Sequence, residues 1–214
     1  DVQQIFSNRY AFAALKGDGS VVTWGDARTG GDSSDVLDQL RSDVLQIFST
    51  SHAFAALKGD GSVVTWGLAD YGGDSSAVLD HLRNDVQQIF STSHAFAALK
   101  GQGPVVTWGF MNCGGDSSAV LDQLRSDVQQ IFSNRSAFAA LKSDGSVVTW
   151  GHSDSAGDSS AVLDQLRSDV QQIFGNRYAF AALKSDGSVV TWGSGNGGDS
   201  SAVLDQLRSD VQQI

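Results

Sequence analysis

The chain has 214 residues, a formal net charge of −10, a single cysteine and four histidines. That length buries a substantial core, and the negative charge excludes nucleic acid as a partner, because phosphate binding needs clustered Lys and Arg. One cysteine excludes an intrachain disulfide framework, and no apolar run approaches the ~20 residues of a membrane-spanning helix.

Taken from the amino end, Asp1-Val-Gln-Gln-Ile-Phe-Ser7 reads as a first strand, with Val2, Gln4 and Phe6 on one face and Gln3 and Ile5 on the other. Asn8-Arg9-Tyr10 makes a turn into a second strand, Ala11–Lys16. The Gly17–Ser20 turn follows, with Asp-Gly supplying the positive φ of a tight reversal, and then a third strand, Val21–Trp24, β-branched and aromatic. A Gly-rich loop ends in Gly30-Gly31-Asp32-Ser33-Ser34. A short helix, about Ser34–Arg41, then has Val36, Leu37 and Leu40 on one face and Asp32 or Ser33 as cap. The pattern returns every 42 residues, with tryptophans at 24, 66, 108, 150 and 192. Such a period means a solenoid, a propeller or an array. The expected units are 1–42, 43–84, 85–126, 127–168 and 169–209 in one repeat domain. Residues 210–214 begin a sixth copy, as expected of a segment of a longer array.

No strand alternates cleanly between apolar and polar residues, so each three-stranded sheet must be covered on both faces, and the natural cover is the neighbouring copy. In the third copy Gln102 and Pro104 replace Asp and Ser, altering the hairpin turn.

Strand, hairpin and terminal Trp-Gly together resemble the repeat of the regulator of chromosome condensation family. The matching residues are Val44–Phe48, His52–Lys58, Asp60-Gly61 and Ser62–Gly67, and their equivalents in the other copies. The resemblance implies blade-like stacked sheets. Here the unit is short for that family, and its last third reads as helical rather than as a fourth strand. The expected fold is therefore mainly β: stacked three-stranded antiparallel blades with one short helix per repeat. A propeller-type ring is favoured over an open superhelical β-solenoid array.

The copies differ in two places. One is the residues after Trp-Gly: Asp26–Thr29, Leu68–Tyr71, Phe110–Cys113, His152–Ser155 and Ser194–Asn196. The other is the turn between the first two strands: Asn8–Tyr10, Thr50–His52, Thr92–His94, Asn134–Ser136 and Asn176–Tyr178. Antiparallel geometry places both at the same end of every sheet, so stacking gathers them on one rim, where loops on a rigid scaffold carry recognition. The expected partner-binding residues are Arg9, Tyr10, Arg28, Leu68, Tyr71, Phe110, Met111, Arg135, His152, Arg177 and Tyr178.

Other constellations read more plainly. His52 and His94, equivalent positions in adjacent copies, lack the recurring third ligand of a metal site and read as turn histidines. His81 reads as a surface residue, and His152 with Asp154 and Ser155 as a chance grouping rather than a triad. The Asp-Gly and Gly-Gly-Asp-Ser-Ser segments lack the alternating acidic ligands of a calcium loop and the Gly-Lys-Ser/Thr of a phosphate loop, so no metal and no cofactor is expected. Asn134-Arg135-Ser136 fits a glycan acceptor. The tryptophans read as blade core rather than a sugar-stacking set. The expected function is a non-enzymatic interaction scaffold with a protein partner. Alternatives are a spacer built from further copies of the same repeat, and a lectin binding a glycan at one pocket per repeat. A guanine-nucleotide exchange role would follow from the resemblance alone.

Overall fold

A computed structural model describes residues 1–101, 103–195 and 197–212. Five three-stranded antiparallel sheets follow one another along the chain. Blade 1 comprises β1 (Val2–Ser7), β2 (Ala11–Lys16) and β3 (Val21–Gly25), in that order across the sheet. Blades 2 to 5 repeat it, with middle strands Ala53–Lys58, Ala95–Lys100, Ala137–Lys142 and Ala179–Lys184. The middle strands are buried on both faces in blades 2 to 4, as two-sided apolar patterning requires.

The first strand departs from simple alternation. Val2 pairs with Lys16 but Gln4 pairs with Leu15, so Gln3 is the extra residue of a β-bulge, and every blade has the same irregularity. The bulge turns Val44 and Ile47 to the same core, although they are three residues apart, while Leu45 and Gln46 face solvent. The expected faces, Val2-Gln4-Phe6 against Gln3-Ile5, are corrected accordingly.

The segment after each Gly-Asp-Ser-Ser is a 3-10 helix, such as Ser34–Leu40 or Ser118–Leu124, and among the described residues no blade has a fourth strand. Asp32 caps it by accepting from the Ser34 amide at 2.9 Å. The Ser33 hydroxyl instead pairs with Thr23 at 3.0 Å, a bond repeated from Thr65 to Ser75 and from Thr149 to Ser159. Leu40 is buried and Val36 half-buried in the cluster shared with the following blade, whose third strand, Val63–Gly67, packs on the segment, while Leu37 is exposed. Arg41, at the end of the segment, pairs with Asp38 at 3.0 Å. That pair is well exposed, so it adds little to stability.

The core lies between blades rather than within them. One cluster joins Ala11, Ala13, Leu15 and Leu40 to Phe54, Val64 and Trp66 of the next copy, and three equivalent clusters follow. Each buried tryptophan also donates backwards: Trp66 Nε1 to Gly30 O at 3.0 Å, Trp108 to Gly72 and Trp150 to Gly114, both at 3.1 Å. Gly30 has φ +103, and a Cβ there would meet the Phe54 ring at 2.6 Å, so this close approach belongs to glycine. Blade 1 leaves open the face that later blades cover. Phe12 and Trp24 are 42% and 43% exposed, against 0% and 4% for Phe54 and Trp66.

Pro104 still accepts the turn bond from Lys100 N at 3.0 Å, but the substituted Gln102 lies outside the described residues. So do 213–214 of the expected sixth copy. Its Val211 amide donates to Gly187 O at 3.1 Å, as Val44 does to Gly19.

Candidate functional site: a rim of turns and post-tryptophan loops

In every blade a backbone bond ties the two variable segments together. The residue after Trp-Gly donates to the last residue of the turn: Asp26 to Tyr10, Leu68 to His52, Phe110 to His94, His152 to Ser136 and Ser194 to Tyr178, at 2.9–3.1 Å. Both segments therefore lie on one rim. Neighbouring turns are joined too, because Arg9 N donates to Ser51 O, Ser51 N to Ser93 O and Ser93 N to Arg135 O.

The first turn residue varies in letter but not in task. Asn8 Nδ2 donates to Thr29 O at 2.6 Å, and its Oδ1 accepts from the Tyr10 and Ala11 amides. Thr50 Oγ1 donates to Tyr71 O and accepts from Ala53 N. Asn134 repeats the first pattern with Ser155 O, Ser136 N and Ala137 N. These side chains clamp turn to loop. The acceptor amide of the glycan triplet is thus engaged on both its atoms within the fold.

Over blades 1 to 3 the rim carries a row of rings. Tyr10 lies 5.4 Å from His52, His52 4.3 Å from Tyr71, Tyr71 5.0 Å from His94, and His94 6.2 Å from Phe110. Tyr71 thus stands between the two histidines. The Nδ1 atoms of His52 and His94 are buried without a hydrogen-bond partner. Desolvation pulls both imidazoles below the usual histidine range, assisted by Arg9 at His52 and by Arg135 at His94. Sequence reasoning set both aside as turn residues. The signal was available, since Tyr10, His52, His94 and Tyr178 occupy equivalent positions.

Three hollows open along the rim. Tyr10, Arg28, His52 and Leu68 border one of about 390 Å³. His94, Arg135, His152, Asp154 and Tyr178 border another of about 400 Å³. The third, about 610 Å³, is lined by Arg9, Ser51, Ser93, Arg135, Asn176 and Arg177, so turns from all five blades meet around it. The row of blades therefore bends, bringing Arg9 of the first and Arg177 of the last to one opening. Arg9 and Arg177 lie over their neighbouring Tyr10 and Tyr178 rings, at 5.6 and 5.3 Å, and Arg135 Nη1 donates to the Tyr178 hydroxyl at 3.3 Å. Phe110 and Met111 are exposed, and neither lines any of these three hollows.

Elsewhere, His81 is exposed and its carbonyl accepts from Lys100 Nζ at 2.7 Å. Ser155 is buried beneath its loop. Among the described residues no group of three His, Cys or acidic side chains is placed to hold a metal, and no helix is long and apolar enough to cross a membrane. Trp66, Trp108, Trp150 and Trp192 are buried and offer no face to a sugar.

Fold and rim define a tandem β-blade repeat protein whose three-stranded units resemble regulator-of-chromosome-condensation blades. Solved structures agree. Prp20p of Saccharomyces cerevisiae matches with TM-score 0.56 and 18% identity over 90% of this chain and 57% of that one. Human WBSCR16 matches with TM-score 0.54 and 17% identity, over 98% and 65%. The CRINKLY WD40 ectodomain of the Arabidopsis thaliana receptor kinase ACR4 matches with TM-score 0.52 and 15% identity, over 91% and 66%. The chain thus spans a little over half the length of Prp20p. No protein-family model and no curated protein sequence matches it.

Proposed function

We propose that this protein is a non-catalytic interaction scaffold that docks a protein partner on its rim. The carrying observation is the partition of the molecule. The blade cores and the 3-10 segments are nearly identical from copy to copy, while the segments that differ lie together on one surface bearing exposed Tyr10, Leu68, Phe110 and Met111. Exposed aromatic and Met side chains beside arginines are the chemistry of protein interfaces. Prp20p, which shares the blade, is a protein with binding properties towards Gsp1p and histones, and yeast RCC1 (Prp20) is bound by Kap60; both support a protein partner. The test replaces exposed apolar side chains of the rim: Leu68→Ser, Phe110→Ser and Met111→Gly together. Partners captured by the parent chain should be lost without a change in thermal stability. Unchanged capture would refute the docking surface.

A second reading is a segment of a longer array, favoured by both halves of the repeated blade interface being open. Phe12 and Trp24 are exposed at one end, and Val203 is exposed and Leu207 half-buried at the other, where Leu40 and its later equivalents are buried. Appending a copy of residues 169–209 before Asp1 should raise stability and quench the Trp24 exposure if that reading holds. No gain in stability would argue against it.

A further inference from the structure

The opening where the turns of the five blades meet has a chemistry of its own. Arg9, Arg135 and Arg177 reach it from three blades, and no residue lining it is acidic. Every arginine at the end of a 3-10 segment is paired with an aspartate. Among the described residues, none of the three rim arginines has a carboxylate within ion-pair distance. On a chain of net charge −10 this is a local concentration of unneutralised positive charge. The three side chains are also oriented. Two lie over tyrosine rings and the third donates to a tyrosine hydroxyl, contacts that lower the rotamer freedom to be lost on binding. Ser51, Ser93 and Asn176 add neutral polar groups around the opening.

We propose that this opening binds an acidic peptide segment of the docked protein, carboxylates meeting the three guanidiniums. The inference rests on the rim being a protein-docking surface. A cavity of about 610 Å³ with cations supplied by separate blades fits charges spread along an extended chain. On such a chain, carboxylates of alternate residues lie about 7 Å apart, whereas the charge of a compact phosphate is concentrated at one point. The Tyr10–His52–Tyr71–His94–Phe110 row alongside supplies apolar contact for the rest of the peptide.

The test measures fluorescence anisotropy of a labelled octaglutamate peptide on the whole chain, with tripolyphosphate as an alternative probe. In the variant R9Q/R135Q/R177Q, affinity for octaglutamate should fall about tenfold or more, and binding to the parent chain should weaken steeply with salt. The control R41Q/R83Q/R125Q should bind as the parent does. No octaglutamate binding by the parent, equal losses in both variants, or binding of tripolyphosphate alone would overturn the proposal. The L68S/F110S/M111G variant separates the two claims. If it loses the protein partner while octaglutamate fails to bind the parent, the opening falls and the rim stands. If it keeps the partner while octaglutamate binds as proposed, the rim reading falls instead.

Discussion

Ala156 carries its methyl group where the equivalent loops have glycine, and the Phe180 ring in the same cluster is tilted 37° from Trp192, with centroids 5.5 Å apart. In blades 2 to 4 the corresponding Phe–Trp pairs are stacked at 22–24° and 5.1–5.2 Å. A Cβ at Gly30, Gly72 or Gly114 would meet the phenyl ring at 2.5–2.6 Å, so the ring in blade 5 gives way to the methyl group. Ala156 is also in the left-handed region, at φ +71, where a Cβ is unfavourable. Ala156→Gly is therefore expected to stabilise the chain by about 1 kcal/mol, read as a higher urea midpoint with unchanged slope.

The displaced ring has a counterpart. Gly175 ends its strand where the other blades have Ser7, Ser49, Ser91 and Ser133, and a Cβ at Gly175 would lie 3.0 Å from Phe180 Cε1. The fifth blade thus carries a methyl group on one side of the phenyl ring and a missing side chain on the other. Gly175→Ser should destabilise the parent chain and do so less in the Ala156→Gly background. A double-mutant cycle should show a coupling of at least about 0.5 kcal/mol.

The backward bond of each tryptophan should be measurable. Trp108→Phe removes the donor to Gly72 O, leaves a buried carbonyl unpaired and should cost about 1–3 kcal/mol. Trp24→Phe, on the open face of blade 1, should cost much less. Chemical denaturation of the two variants side by side checks this.

His52 and His94 make stability depend on pH. Both are depressed below 6.5 in the folded chain, chiefly by burial. Between the depressed value and 6.5 the unfolded chain binds protons that the folded chain does not, so stability falls as pH drops through this window and rises again towards pH 7. The charges that act on the pair are Arg9 and Asp26 at His52, and Arg135 and His52 itself at His94. Replacing both histidines by Phe should flatten the midpoint-versus-pH curve just below pH 6.5. The aspartates of the hairpin turns, held low by the serine two residues on, act only at lower pH; Asp18 is lowered to about 2.

Much of this architecture was legible in the residues. Ala11–Lys16 and its equivalents are strands as read, because two-sided apolar runs closed by Asp-Gly leave few alternatives. The bulge at Gln3 was not legible, since period-two counting cannot register one extra residue. The 3-10 winding of Ser34–Leu40 was hidden because a segment this short shows the same apolar spacing either way. The clamp by Asn8, Thr50 and Asn134 passed for variability: amide and hydroxyl both donate to the loop and accept from the turn, so the chemistry persists while the letter changes. The arginines were recognisable as rim cations, but their meeting at one opening depends on the bend of the blade row, which no local pattern encodes.

The account turns on the rim, and the invariant leucines of the 3-10 segments give it a control. Leu37, Leu79 and Leu121 are exposed apolar groups repeated on another surface. Partner capture should be compared for L68S/F110S/M111G and for L37S/L79S/L121S, both checked for unchanged thermal stability. Loss of the partner with the first set and retention with the second is the predicted result. Retention with the first set, or loss only with the second, would contradict the account.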